Sequence, residues 1–397
     1  MDGFLTVGHP AAVAAVHEML SGGVPHAVLI SGPASVGKAS LALDLAAGLL
    51  CTAPAAADRP CRSCRGCRMV EHGNHGDLHQ LAPSGAGLQI RIGDEASPEP
   101  GTVRHLVSEL VLLPVEGGQR VAIVRDADRM GEDAQGALLK TLEEPPLGTT
   151  IILCTDDEER LLPTIRSRCA RLRLGTVGAR DVEDLLGRRG LADAPTAARL
   201  ARLTGGRPGH AVAYAAAPRA LAVRGELART LLDLLAAGPA ARLGAARGLQ
   251  SAAGELAAQL EAAVATGPEA EPAARGSKVR QAMAAPEAVE GPSDGEAEDA
   301  PGKPSAKDRR RAAAQLVEVW RDLARDLALA ERGARSSMRD PVLLEELEAA
   351  TRDLPPGAAS SFLARIAEAD GLLKGNVSPE LLLDVLLLHW PRRGRAA

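Results

Sequence analysis

The stretch Ser31-GPASVG-Lys38-Ala39-Ser40 has the residue types and spacing of a phosphate-binding loop: Gly32, four residues, Gly37, then Lys38. Glycines there let backbone N–H groups converge on phosphate oxygens, and a helix N-terminus behind them adds partial positive charge. Lys38 would reach the terminal phosphates. The next residue should be Ser or Thr, whose hydroxyl ligates Mg2+, and it is Ala39. Ser40 comes one residue late and points elsewhere. The spacing predicts a phosphate cradle that has lost its metal ligand.

Phosphoryl transfer also needs an acid for Mg2+ and a residue that activates the nucleophile. Both belong at the end of a neighbouring strand. The apolar run Val121–Val124 is followed by Arg125, Asp126, Ala127 and Asp128. Arg125 stands where the metal-binding acid is expected, and Asp126 where the base is. Shifting the register by one makes Asp126 the metal ligand but puts Ala127 at the base. Neither register supplies the pair. Asp126 and Asp128 also suit a solvated cap on the following helix.

Cys51, Cys61, Cys64 and Cys67 form a third group, with two C-x-x-C steps sharing Cys64. Four thiolates close a tetrahedral zinc site and leave no position for water, so the expected role is structural. His72, His75 and His79 lie nearby, but four cysteines make them unnecessary as ligands, and they are expected at the surface or in packing. Arg59, Arg62, Arg65 and Arg68 interleave the cysteines, which no buried thiol core would tolerate.

The fourth group is Arg166-Ser167-Arg168-Cys169, shortly after Pro163, a good first helical residue. An Arg at a rigid helix edge can reach the phosphates of a neighbouring molecule as an arginine finger in trans. Alone, this signal is unspecific, since most surface arginines are simply solvated.

Elements of defined kind must hold these groups. Residues 26–31 read as a strand feeding the loop, and Ser40–Leu50 as a helix leaving it. Arg120–Arg125 and Thr150–Cys154 read as two more buried strands. Between them Gly131–Glu144 is helical, with Ala134, Leu138 and Leu142 on one face, and Pro145-Pro146 stops it. Strands alternating with helices predict an α/β domain on a parallel sheet covered on both faces. Beyond Gly175 the strand signal disappears. Short helices over 181–190 and 194–204 and the glycines of 205–209 predict a helical lid. A long Ala/Leu-rich pattern follows. Thr266–Lys307 is rich in Pro, Gly, Ala, Glu and Ser and is expected to be disordered. Helical pattern resumes at Asp308 and runs to Trp390. The expected organisation is 1–175 as the α/β domain with its cysteine module at 51–67, 176–215 as the lid, and 216–390 as an all-α domain interrupted by the 266–307 linker.

Composition sets limits. Apolar residues make up 46% of the 397 and aromatics 1%, so the core must be Leu, Val and Ala. A formal net charge of −5 excludes a chain that binds nucleic acid by bulk charge. Five aromatics in all make base stacking a poor mechanism, while backbone contact through Arg stays open. The N-terminal stretch lacks a basic leader, and no apolar run reaches the roughly 18 residues of a membrane span. A cytoplasmic protein without disulfides is expected.

Taken together, the loop, the four-cysteine module behind its helix, Gly136-ALLKTLEEP-Pro146 and Ser167-Arg168-Cys169 resemble bacterial clamp-loader subunits of the AAA+ class. The likeness is close over roughly the first 210 residues and only architectural beyond. The resemblance implies an AAA+ P-loop domain, a lid and a helical collar. Two kinds of subunit share that framework. The gamma/tau kind keeps a working ATP site, and the delta-prime kind has a decayed one but retains the Ser-Arg-Cys finger. Here Ala39, the incomplete acid pair, and Pro208 standing about where the lid's second-sensor Arg belongs (Arg207 is one step off) point to the delta-prime kind. That kind implies a stator in a hetero-pentamer with gamma/tau and delta subunits. Arg168 would complete the neighbour's ATP site, and the complex would load the beta sliding clamp on primed DNA. It implies no intrinsic catalysis, though the chain would belong to a DNA polymerase holoenzyme. It also implies structural zinc, and ATP or ADP bound weakly if at all. The rival readings are an active gamma/tau-type ATPase and a free-standing zinc-containing DNA-binding protein.

Overall fold

The computed structural model describes residues 3–116, 118–266, 304–375 and 377–393. Most of the expected linker, 267–303, lies outside the described residues. Its expected edges do not hold. Thr266 closes a helix begun at Pro239, and the next helix starts at Ala306, with the Ser305 hydroxyl accepting the Asp308 N–H at 3.1 Å. A Ser cap satisfies an orphan backbone donor, and a composition scan does not register it.

Two compact units divide the chain. The first holds the residues to Leu185 together with Gly206–Gly209. Its strands are β1 (Ala27–Ser31), β2 (Leu78–Leu81), β3 (Arg120–Val124), β4 (Thr149–Thr155) and β5 (Ala170–Arg173), all parallel, in the order β2-β3-β4-β1-β5. Successive side chains on a strand point to opposite faces. Val28 and Ile30 of β1 therefore join Val121, Ile123 and Ile152 in one core, with Leu41 and Leu45 of the helix after the loop. Leu29 joins Ala122, Val124, Ile151 and Leu153 in the other, with Leu106, Leu138 and Leu142. The sheet is thus buried on both faces, which is why β1, β3 and β4 read as unbroken apolar runs.

The helices of this unit are α1 (Pro10–Gly22), α2 (Lys38–Leu49), α3 (Arg65–Glu71), α4 (Val103–Val111), α5 (Glu132–Glu143), α6 (Pro163–Arg166) and the start of α7 (Ala179–Arg188). The architecture is an α/β domain on a parallel sheet, as the α/β expectation required.

The second unit is helical. It contains α8 (Ala194–Thr204), most of α9 (Pro208–Ala216), α10 (Pro218–Asp233), α11 (Pro239–Thr266), α12 (Ala306–Glu331), α13 (Leu344–Thr351), α14 (Ala358–Leu373) and α15 (Pro379–His389). Trp320, Phe362 and Trp390 meet at its centre with ring centroids 4.8–5.7 Å apart. Buried Arg242 donates to Leu234 O and Ala237 O at 3.1 Å, to Leu387 O at 3.3 Å and to Pro391 O at 2.8 Å. One guanidinium therefore ties off the ends of α10 and α15. Among the described residues no helix is long and apolar enough to cross a membrane.

Candidate functional site

The phosphate loop lies where the sequence places it, between β1 and α2. Gly32 has φ +149°, and a Cβ there would fall 2.2 Å from Leu174 O, so no other residue fits. Gly37 caps α2 at φ +111° in the left-handed region, which suits glycine. Lys38 turns inward and is buried. Its Nζ donates to Gly32 O at 2.9 Å and Pro33 O at 2.7 Å and lies 2.6 Å from Asp156 Oδ1. Ala39 and Ser40 follow on the first turn of α2, both half-buried.

The acids gather at the carboxyl ends of β3 and β4, where open parallel sheets place their sites. Asp126 sits at φ +47°. Burial pushes its carboxyl above the usual carboxylate range, the neighbouring charges of Asp156 and Asp128 add to this, and Arg125 and Lys38 oppose it. Buried Asp128 accepts from the Thr155 hydroxyl at 3.1 Å and from Asp156 N at 3.3 Å. Glu158 accepts from the Ser31 hydroxyl and pairs with Arg173 at 3.0 Å. Asp156 and Glu158 escaped the sequence reading. The signal was present in Thr155-DDEE-Arg160, an acid run directly after a buried strand.

Pro208, at the expected position of the lid arginine, opens α9 beside the loop, and Gly209 N donates to Ser35 O at 3.0 Å. A Cβ on Gly209 would touch Ser35 at 3.2 Å, so the two backbones pack closely there.

The structure brings Cys51, Cys61, Cys64 and Cys67 together, all four Sγ atoms within 4.8 Å of one another. Cys51 and Cys64 are 3.9 Å apart. Tetrahedral Zn–S bonds of ~2.3 Å imply sulfur–sulfur edges of about 3.8 Å. Backbone N–H groups of Ala53, Cys64 and Cys67 donate to Cys51, Cys61 and Cys64 Sγ, each at 3.4 Å. The Ser63 hydroxyl and the N–H groups of Cys64 and Ser63 bring Cys61 down to about 6. Burial opposes ionisation of Cys64, but the N–H groups of Cys67 and Thr52 outweigh it and lower its pKa, whereas burial raises Cys51 and Cys67. A dication supplies the charge that the buried pair needs. The four cysteines can hold a metal ion, and zinc suits them. The histidines stand outside this cluster. His75 is buried and accepts from Asp77 N at 3.1 Å, and His79 lies 3.5 Å from Glu109.

Arg168 stands elsewhere. Its Nη2 lies 2.6 Å from Glu143 Oε1, its Nη1 donates to Thr164 O at 3.0 Å, and its side chain keeps 35% of its exposure. Cys169 beside it is pushed up to about 11 by burial. Arg168 precedes β5, whose Ala170 pairs with Val28, whereas the phosphate loop leaves the opposite end of β1. At 3.3 Å per residue the two are roughly 15 Å apart along the strands.

This sheet, its glycine loop and its cysteine module make up a parallel α/β domain with a four-cysteine cluster. Residues 8–177 match the family described as DNA polymerase III, delta subunit. It is 38% identical over 185 residues to DNA polymerase III subunit delta' of Pseudomonas aeruginosa, covering 46% of this chain and 53% of that one. Identity to the delta' subunit of Bacillus subtilis is 35% over 161 residues, covering 41% and 45%. Identity to the tau subunit of Escherichia coli is 32% over 199 residues, covering 49% and 29%. The chain thus spans about half the length or less of these curated relatives.

Proposed function

We propose that this chain is a delta-prime-type clamp-loader subunit, a cytoplasmic stator without ATPase activity of its own. It donates Arg168 to the ATP site of an adjacent gamma/tau subunit. The observation that carries the reading is the position of Arg168: it lies at the end of the sheet opposite its own phosphate loop, so any phosphate it serves belongs to another molecule. The loop agrees. It has Ala39 in place of a Mg2+ hydroxyl, Asp126 without a paired base, and a Lys38 already satisfied by Asp156 and two carbonyls. The partners in this reading are gamma/tau and delta subunits in a hetero-pentamer, and the complex loads the beta sliding clamp on primed DNA. Any nucleotide left in the loop binds weakly and is not hydrolysed. The four cysteines hold one structural zinc. In this reading, 1–175 is the AAA+ domain, 176–215 the lid, and the helical remainder the collar.

The deciding test reconstitutes the complex with Arg168→Ala. Assembly should persist while DNA-dependent ATP turnover by the neighbouring subunit falls. Unchanged turnover would remove the finger from the account.

A further inference from the structure

The residues from Gly3 to His9 run as a strap from the cysteine module to the phosphate loop. Arg62 lies between Cys61 and Cys64 and holds φ +56°. Its Nε donates to Gly3 O at 2.6 Å, one Nη pairs with Asp44, and the other lies 3.3 Å from Glu71 Oε1. Asp44 sits on α2, wholly buried. It accepts from Leu5 N at 3.1 Å, Thr6 N at 2.9 Å and the Thr6 hydroxyl at 2.6 Å. Three residues further, His9 Nε2 lies 2.8 Å from Val36 O inside the phosphate loop. Gly8 between them has φ +77°, and a Cβ there would strike Val177 at 2.1 Å. A continuous series of contacts thus joins the Cys61–Cys64 turn to the loop.

We infer that the cysteine module braces the phosphate loop through this strap, with Arg62 and Asp44 as the positioning residues that join them. Two physical arguments carry it. A non-glycine residue in the left-handed region is held there only by its surroundings. Cysteines on either side of Arg62, joined on one ion, fix the turn and aim its guanidinium. Second, a buried carboxylate needs charge compensation and hydrogen bonds to stay ionised. Asp44 receives its hydrogen bonds from the strap and its charge partner from the module, so neither segment can leave without stranding it. In a working P-loop, bound phosphate organises the loop. Here Lys38 is taken by Asp156, and the brace holds the loop's shape without nucleotide.

The inference rests on the zinc reading, and the experiment separates the two. Amide hydrogen exchange is followed on the full chain in three states: zinc-loaded, stripped by a strong chelator, and as zinc-loaded Arg62→Ala. Bound zinc is counted in parallel with a chromogenic chelator. The loaded protein should protect the Leu5 and Thr6 amides. Stripping should raise their exchange, and that of the loop amides, at least tenfold. Arg62→Ala should do the same with one zinc still bound and the β3 and β4 amides unchanged. Protection that survives in zinc-loaded Arg62→Ala overturns the brace and leaves the zinc reading standing. A folded chain that takes up no zinc overturns both. If stripping unfolds the whole unit, Arg62→Ala alone decides.

Discussion

Lys38 Nζ lies 2.6 Å from Asp156 Oδ1, so the cation that should meet a nucleotide already has an anion. Lys38 is buried and Asp156 half-buried, and a cation held this way gives up its partner only for a better one. With no hydroxyl at residue 39 to hold Mg2+, a nucleoside triphosphate is a poor competitor.

The purified chain should therefore show no ATP hydrolysis above that of Lys38→Ala. A coupled phosphate-release assay checks this. Turnover that depends on Lys38 would restore the gamma/tau reading.

One zinc should be recovered per chain, and Cys64→Ser should lose it. Cys64 accepts from Cys67 N and lies between both C-x-x-C steps, so its loss opens the tetrahedron. Metal analysis of the two preparations decides. A folded, metal-free wild-type protein would reject the site.

Arg168→Ala should leave stability within about 1 kcal/mol of wild type, because its pair with Glu143 is solvent-accessible, Glu143 being exposed and Arg168 half-buried. Turnover by the assembled complex should nevertheless fall by roughly 100-fold or more, given what fingers contribute elsewhere. Thermal melts of the subunit and steady-state rates of the complex measure the two effects separately.

Asp126→Asn should stabilise the first unit near neutral pH. Burial and its acidic neighbours raise the native pKa of Asp126 above the ordinary 3.8. The native state then binds the proton more tightly than the unfolded one, so stability falls as pH rises from 3.8 through the raised value. Removing the carboxyl relieves that penalty above the window and changes nothing below 3.8. The gain in Tm at pH 7 should exceed the gain at pH 3.5. Equal gains would mean that only the left-handed backbone preference of Asn had been seen.

Arg242→Met should cost about 3 kcal/mol, since it strands carbonyls of two helix ends in the interior. Urea unfolding of the helical unit reads the difference.

Much of this was legible beforehand, for a physical reason. β1, β3 and β4 are covered on both faces, so their central residues are apolar and the runs stand out. β2 (Leu78-HQ-Leu81) and β5 (Ala170-RL-Arg173) border the sheet, and polar side chains fill their half-exposed faces. β2 shows neither run nor alternation, and the alternation of β5 spans only four residues. The cysteine spacing also announced its cluster, because a chelate imposes short fixed intervals. Asp44 gave no such notice, and the acid run after β4 marked Asp156 without marking its partner. Each acts across more than thirty residues of sequence, Asp156 on Lys38 and Asp44 on Leu5 and Thr6, and only the folded chain brings the partners together. The left-handed turn at Arg62 was likewise invisible, since arginine carries no preference for it.

The two tryptophans of the chain share one cluster, 5.7 Å apart, in the helical unit. Intrinsic fluorescence consequently reports on that unit alone, and the phosphate-loop unit is spectroscopically dark. A single Trp placed in the strap or loop would give that unit its first fluorescent reporter, read as a difference from the unaltered chain.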